Sequence, residues 1–518
     1  MRRLTLDLQN RLPTSEETEI YSRNIATAES LTTFFLKSND ADSAMANLHR
    51  NFWDLWQPKT LELLSTTDPA LRTAMTTTST DLMLDDPIKT LRFMISQDES
   101  FEKIVSKKYS LMETSTATFY NQTSAPGPDV DTNVVVYSDI SRPNLGILSS
   151  FGWNASLPKN SGSKNYGGAA ESIRKLTCLN FNSVSAHNFG QAGISTVDSS
   201  LLSTASSHTS CTSCHNQFHT LADGLPYFSS STTLTSWLTY NQNAFSPGLY
   251  KGKSYQNSDE LAGLMSTDSR ISSCELENVV EEILQRKLSS LNDQDLKQNL
   301  FQRGTDSKNI KNLVSDIIAS PEYQHQVFGS SGSITNSLSS VRVFGPAQWD
   351  GFIKQILPQN TIRNLVLQNP AAAKSAGNPE VISLANLVPR QRLNGYEKQF
   401  VPSENYTQSA FDLAVRIADA VVASELSSTA LAQNRKVLMS VPDFDAYGAT
   451  TTEVKNQISE TWNKWTSLKT ASSDYRISKL YSVYSESILT GSTDLEKSRN
   501  AWKWVLTSIL IAPEFIIY

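Results

Sequence analysis

Five consecutive residues carry the densest chemistry in the chain, Cys211-Thr-Ser-Cys214-His215. Two thiols three positions apart lie on one side of a helical turn, where they can add to the two vinyl groups of one haem. The neighbouring imidazole then sits under the iron, and this spacing reads as c-type haem attachment. It predicts one covalent haem c held by Cys211 and Cys214, with His215 as proximal iron ligand. Two other chemistries compete. Zinc needs two further ligands, and with no second C-x-x-C those would come from His187, His208, His219 or Cys178. A thioredoxin-like dithiol needs a strand-helix context and has no use for a histidine at position 215.

The sixth iron ligand is open. Met265, in Leu261-Ala-Gly-Leu-Met265, is the distal candidate, and a thioether there would raise the potential. Filling a core is the competing role for such a methionine. His208 and His187 are the alternatives, and a vacant sixth position is a third. His219, one helical turn past His215 and on the same side, suits a propionate or packing contact. The chain has 4 Cys, so Cys178 and Cys274 are left over. In an oxidising compartment they form a candidate disulfide. Two buried thiols are the alternative, because sequence does not supply the Cα spacing that a bridge requires.

Other catalytic signatures are absent: the chain has no phosphate loop, no H-E-x-x-H and no G-x-S-x-G. Its acidic residues read as solvated helix faces and not as a glycosidase dyad. His325 reads as a structural or exposed residue. Net charge is -6 without a long basic run, which disfavours nucleic-acid binding by phosphate neutralisation. No run of about 18 apolar residues predicts a membrane span. The N-terminal residues lack the apolar core of a signal peptide. Because haem is attached outside the cytoplasm, the expected location is the periplasm or cell surface, with the signal or lipid anchor missing from this sequence.

The elements that must position these groups are mostly helices. Thr14-Ser-Glu-Glu17 is a capping box. Met45, Leu48, Phe52, Leu55 and Trp56 share one helical face, whereas His49 and Trp53 lie off it, so His49 reads as a solvated helix residue. Another helix starts near Pro87, with Ile88, Leu91 and Ile95 on one side. From Asn121 to Gly168 the periodicity stops, save for an apolar run at Val134-Val-Val-Tyr137, and segments of this kind often wrap a cofactor. Helical pattern returns with the stripe Leu276, Val279, Val280, Ile283 and Leu284, which Ser272 and Glu275 could cap. A second stripe, Ile310, Leu313, Val314, Ile317 and Ile318, follows a break at Gly304. Residues Phe328 to Ser340 form a Gly/Ser-rich linker candidate. Ala410, Ala414, Ile417, Ala418 and Val421 mark one later helix, and Trp502 to Tyr518 reads as a buried helix with a docked tail.

The expected fold is mainly α: multi-helix modules around one c-type haem module with long irregular loops. The expected modules are 1-120 (N-terminal helical), 121-230 (haem c), 231-327 (helical) and 341-518 (C-terminal helical). Leu313 to Tyr323 echoes Val505 to Phe515, each an apolar helix stopped by Pro-Glu-aromatic. Two related helical halves, or chance similarity of helix ends, would both account for it.

Several passages together resemble the planctomycete-type cytochrome c domain proteins, which are secreted, mostly helical, multi-module proteins of largely uncharacterised function. Asp86 to Phe101, continuing through Tyr109-Ser-Leu-Met and Phe119-Tyr120, resembles the module before the haem. Arg142 to Leu148 and Leu176-Thr-Cys178 resemble the lead-in. His208 to His215 with Leu221-Ala-Asp-Gly-Leu225 resembles the core, and Cys274 to Tyr323 the module after it. Val341-Arg-Val-Phe344, Gln348-Trp349 and the closing helix resemble modules that usually come early, so the order here is permuted. The usual Pro-Leu-Gly-Phe run after the haem is largely missing. The resemblance adds weight to His208 and to the pair Cys178/Cys274 as family features.

The expected function is therefore a monohaem c-type cytochrome passing single electrons to a redox partner protein in the cell envelope. A haem enzyme, either a peroxidase or an oxidase of an extracellular substrate, is one alternative. A structural surface-assembly or homo-oligomeric protein carrying a haem is the other.

Overall fold

The computed structural model describes residues 2–23, 28–53, 55, 85–113, 124–126, 132–136, 145–157, 166–179, 247–286, 288, 293–307, 309–320, 323, 343–357, 366–367, 382–383, 387, 391–393, 397–399, 404–426, 435–439 and 450–517. Within them the protein is mainly helical. In chain order the helices are α1 (Arg2–Gln9), α2 (Ser15–Ser22), α3 (Ala28–Phe35), α4 (Asn39–Phe52), α5 (Asp86–Ser96), α6 (Phe151–Ala155), α7 (Tyr166–Thr177), α8 (Ser258–Ser266) and α9 (Ser269–Leu284). They continue as α10 (Gln294–Ser307), α11 (Ile310–Ala319), α12 (Pro346–Ile356), α13 (Glu404–Glu425), α14 (Thr451–Thr466), α15 (Tyr475–Ser487), α16 (Asp494–Leu510) and α17 (Pro513–Ile516). None of the described helices is long and apolar enough to cross a membrane.

The chain forms two compact units. The first comprises residues 1–44, 325–370 and 380–518; the second comprises 45–324 and 371–379. Residues 1–44 thus belong with the C-terminal region and not with a 1–120 module, and no unit boundary falls at 120/121 or 230/231. The linker candidate Phe328 to Ser340 lies outside the described residues.

In the first unit the core is aromatic. Phe515, fully buried, meets Phe344 at 4.9 Å, Phe352 at 5.0 Å, Trp349 at 5.7 Å and Trp465 at 6.1 Å between ring centroids. Pro513 stops the run of α16 because its ring cannot continue a helix, and the chain turns so that Phe515 enters this cluster. The Arg2 guanidinium donates to the carbonyls of Thr466, Glu514 and Phe515 and lies over the Phe344 and Phe515 rings. Asn10, just past the end of α1, is left-handed (φ 50°), and there the chain meets α12. A Cβ on Gly351 would lie 1.7 Å from the Asn10 carbonyl oxygen, so only glycine permits this approach. Gln348 donates to Asn10 Oδ1 at 3.0 Å, and Gln355 both accepts from Leu12 N and donates to Leu12 O. The stripe Ala410, Ala414, Ile417, Ala418 and Val421 is buried, and its small residues let α13 lie along α16. The Thr14–Glu17 capping box is formed at α2.

In the second unit α9 is central and packs against α7, α10 and α11. Its apolar stripe, Leu276 to Leu284, is buried as the periodicity requires. The cap differs from expectation. Asp268 accepts from Arg270 N and starts the helix one turn early, while Ser272 donates to Glu102. Gly304 lies inside α10, and Asn309 caps α11. The run at Val134 falls in a three-stranded antiparallel sheet of order β1 (Tyr109–Glu113), β3 (Thr132–Val136), β2 (Ser124–Pro126). A hairpin of β4 (Gly248–Tyr250) and β5 (Lys253–Tyr255) precedes α8.

Candidate functional site

Cys211, Cys214 and His215 lie outside the described residues, as do His187, His208, His219 and His325. The described structure supplies the two flanks of that segment. Upstream, α7 ends at Thr177, and Cys178 follows in the left-handed conformation (φ 55°), its N–H donating to Arg174 O at 3.0 Å. Downstream, Cys274 sits in the second turn of α9. The two sulfurs are bonded at 2.07 Å, with Cα atoms 5.2 Å apart. Asn278, one turn beyond Cys274, donates its amide to Cys274 Sγ at 3.2 Å and to Cys178 Sγ at 3.4 Å. The bridge spans 96 residues, and both the pentapeptide and Met265 lie between its ends. Closing a loop of that length restricts the unfolded chain by about 4–5 kcal/mol in the chain-entropy account.

Around this bridge the second unit buries several polar side chains. Lys175, one turn before Cys178, is 3% exposed. Its ammonium donates to Ser156 Oγ at 2.9 Å and lies 5.5 Å from the Trp153 ring, and the Trp153 indole in turn donates to Ser172 Oγ at 3.0 Å. Asp86, fully buried, accepts from Gly152 N at 2.9 Å, which fixes α6 against α5.

His49 corrects the sequence reading. It is fully buried and not a solvated helix residue, and the rings of Phe52, Trp53 and Phe101 surround it. Nδ1 lies 2.8 Å from Met45 O, and Nε2 hydrogen-bonds to Glu275 Oε1. A carbonyl oxygen can only accept, so Nδ1 carries a proton. One further proton is then shared between Nε2 and the carboxyl, and the pair is neutral overall in either distribution. That neutrality makes the burial tolerable. Its partner is 226 residues away, so no local pattern could have revealed it.

Asp268 is a second polar centre. Beyond capping α9 it accepts from Tyr250 Oη at 2.8 Å, Lys251 Nζ at 3.0 Å and Arg270 Nη2 at 2.6 Å. Burial alone would push its carboxyl up. The hydrogen bonds from Arg270, Lys251 and Tyr250 outweigh that and hold it well below the usual carboxylate range. The Tyr250 hydroxyl is raised, chiefly by burial and then by the Asp268 charge. An Asp before a helical stripe is a readable cap signal; its three further donors are not readable. Met265 lies on the apolar face of α8 with Leu261 and Ala262 and is 1% exposed.

Among the described residues, no group of three or more His, Cys, Asp or Glu is arranged to hold a metal ion. The donor set nevertheless fits a c-type haem. The bridge consumes Cys178 and Cys274, so the two thiols left in the chain are those of the pentapeptide, the number that two thioether bonds require. No family model, curated protein or solved structure matches the chain.

Proposed function

We propose that the protein is a monohaem c-type cytochrome that transfers single electrons in the cell envelope. The observation that carries this reading is the partition of the four cysteines. Cys178 and Cys274 are bonded to each other, which leaves Cys211 and Cys214, in C-x-x-C-H spacing, to hold the haem. A disulfide between the spare pair also suits an oxidising compartment, the kind of place where haem c is attached. The same partition weighs against zinc, because Cys178 is no longer available as a thiolate ligand.

In this reading Cys211 and Cys214 anchor the porphyrin by thioether bonds, and His215 binds the iron with its imidazole. Met265 and His208 stand as distal candidates. The bound group supplies one-electron chemistry, whose potential depends on the distal ligand and on burial. The chain's own contribution is anchorage: the bridge ties α7 to α9 across the segment that bears the pentapeptide. The test is a pyridine haemochrome spectrum and an intact mass of the denatured protein, produced in a host that attaches haem. The expected mass is the polypeptide plus one haem, and Cys211→Ala with Cys214→Ala returns it to the bare chain. A bare-polypeptide mass for the unaltered protein from that host overturns the reading.

A further inference from the structure

The two halves of the Cys178–Cys274 bridge have unequal surroundings. Cys178 is exposed at the end of α7, whereas Cys274 is 3% exposed within α9. The Cys178 end of the bridge is therefore the side open to a nucleophile from solvent, and the Cys274 end is enclosed. Attack at Cys178 makes Cys274 the leaving group. Its sulfur already accepts a hydrogen bond from Asn278 Nδ2 at 3.2 Å, nearer than the 3.4 Å contact of the same amide with Cys178 Sγ, so this donor is in position to stabilise the thiolate as it forms. Access to the attacked sulfur and stability of the departing thiolate are two of the quantities that set the rate of thiol–disulfide exchange.

We infer that this bridge is a reducible tie, opened in the folded protein by a dithiol reductant attacking Cys178. The reductant's thiolate bonds to Cys178 Sγ. The Cys178–Cys274 bond breaks, and its electron pair goes to Cys274 Sγ, which then takes up a proton. The second thiol of the reductant attacks its own sulfur in the mixed disulfide and releases Cys178, which also ends as a thiol. Two electrons and two protons pass to the protein, and the reductant leaves as a cyclic disulfide. With the tie open, α7 meets α9 through noncovalent contacts, and the 96-residue span is no longer covalently closed. The fastening of the segment that bears Cys211, Cys214 and His215 thereby comes under thiol control. The inference is independent of the haem reading, because the bridge and its surroundings belong to the polypeptide.

The experiment uses the full-length protein in native buffer. It is treated with dithiothreitol, alkylated with a maleimide and mapped by peptide mass. A parallel sample is treated with reduced glutathione and quenched in acid to trap the mixed disulfide. Cys178 and Cys274 should both become labelled without denaturant, the glutathione adduct should sit on Cys178, and proteolysis between α7 and α9 should accelerate at least about tenfold, as expected for loss of a long-loop constraint. Asn278→Ala should slow the opening about fivefold, the rate equivalent of one net hydrogen bond. The proposal is overturned if labelling requires denaturant, if the adduct forms on Cys274, or if the labelled protein is cleaved no faster than the oxidised one.

Discussion

The two units differ in what dominates their interiors. In the first, the interior is an aromatic cluster around Phe515, and the indole N–H groups of Trp462, Trp465 and Trp502 have no hydrogen-bond acceptor among the described residues. Each such donor costs about 1–3 kcal/mol. Burying roughly 150–250 Å² of indole returns about 4–6 kcal/mol, so shape and area win. In the second, the interior is crossed by named polar pairs: His49 with Glu275, Asp268 with Arg270, Lys251 and Tyr250, and Lys175 with Ser156, together with the covalent bridge. The unit that contains residues 211–215 is thus crossed by polar contacts that accept few substitutes. The other is held mainly by aromatic packing, with polar ties at Arg2, Gln348 and Glu425.

The largest effects should separate these two regimes. His49→Leu removes one member of a buried pair and leaves the Glu275 carboxyl without its imidazole, which should destabilise the second unit by about 3–5 kcal/mol. Replacing both, with His49→Leu and Glu275→Leu, should recover much of that loss, because an apolar pair of suitable volume carries no desolvation cost. Phe515→Ala should cost the first unit a similar amount, about 3–5 kcal/mol, but through a cavity. A polar partner placed elsewhere cannot rescue it. Amide hydrogen exchange resolved by unit reads all three variants. If the double variant proves no more stable than His49→Leu, the contrast between the units is wrong.

This contrast also explains what could be read from the sequence. Apolar stripes at helical spacing identified α5, α9, α11 and α13, since a 3.6-residue period is a local property of the chain. The Thr14–Glu17 box was legible for the same reason. His49 was not, because its environment is made by Phe101 and Glu275, distant in sequence. Glu275 looked like a cap residue for the same lack of long-range information. The union of residues 1–44 with 325–370 and 380–518 escaped the reading too, because nothing in α1 announces that the Arg2 side chain will meet the Phe515 carbonyl. Of the candidate site, the pentapeptide is read from sequence alone, because it lies outside the described residues. The pairing of Cys178 with Cys274 was legible as one of two alternatives, and the choice between them rests on a Cα separation that sequence does not contain.

Acid should act more strongly on the second unit. The Asp268 carboxyl is held below its ordinary value by its three side-chain donors, against the upward push of burial. Its contribution is therefore fully present above the unfolded value of about 3.9 and is lost as pH falls through the lower folded value. In the first unit, Glu453 and Glu496 are also held low, by the backbone and side chain of Thr450 and of Ser492, but both sit at exposed caps where water competes. Lowering the pH below about 4 should reduce the denaturation midpoint of the second unit first. Asp268→Asn keeps a capping oxygen and removes the charge, so it should lower stability at pH 7 and flatten the acid decline. An equally steep decline in Asp268→Asn would assign the effect to other groups.

The smallest effect tests a polar contact at the surface of the first unit. Helix α14 begins with a reciprocal box in which Thr450 Oγ1 accepts from Glu453 N and the Glu453 carboxylate accepts from Thr450 N. These groups are exposed, so water can replace either partner, and Thr450→Ala should cost about 1 kcal/mol. Thr450→Ser should cost less, because the hydroxyl that makes the bond is kept. Since Trp462 and Trp465 project from the same helix into the core, fraying at its first turn should leave their near-ultraviolet dichroism unchanged while the urea midpoint falls slightly. A loss of that aromatic signal in Thr450→Ala would mean that the cap, and not the packing of the rings, sets the position of α14, and the division between a packed unit and a polar one would have to be redrawn.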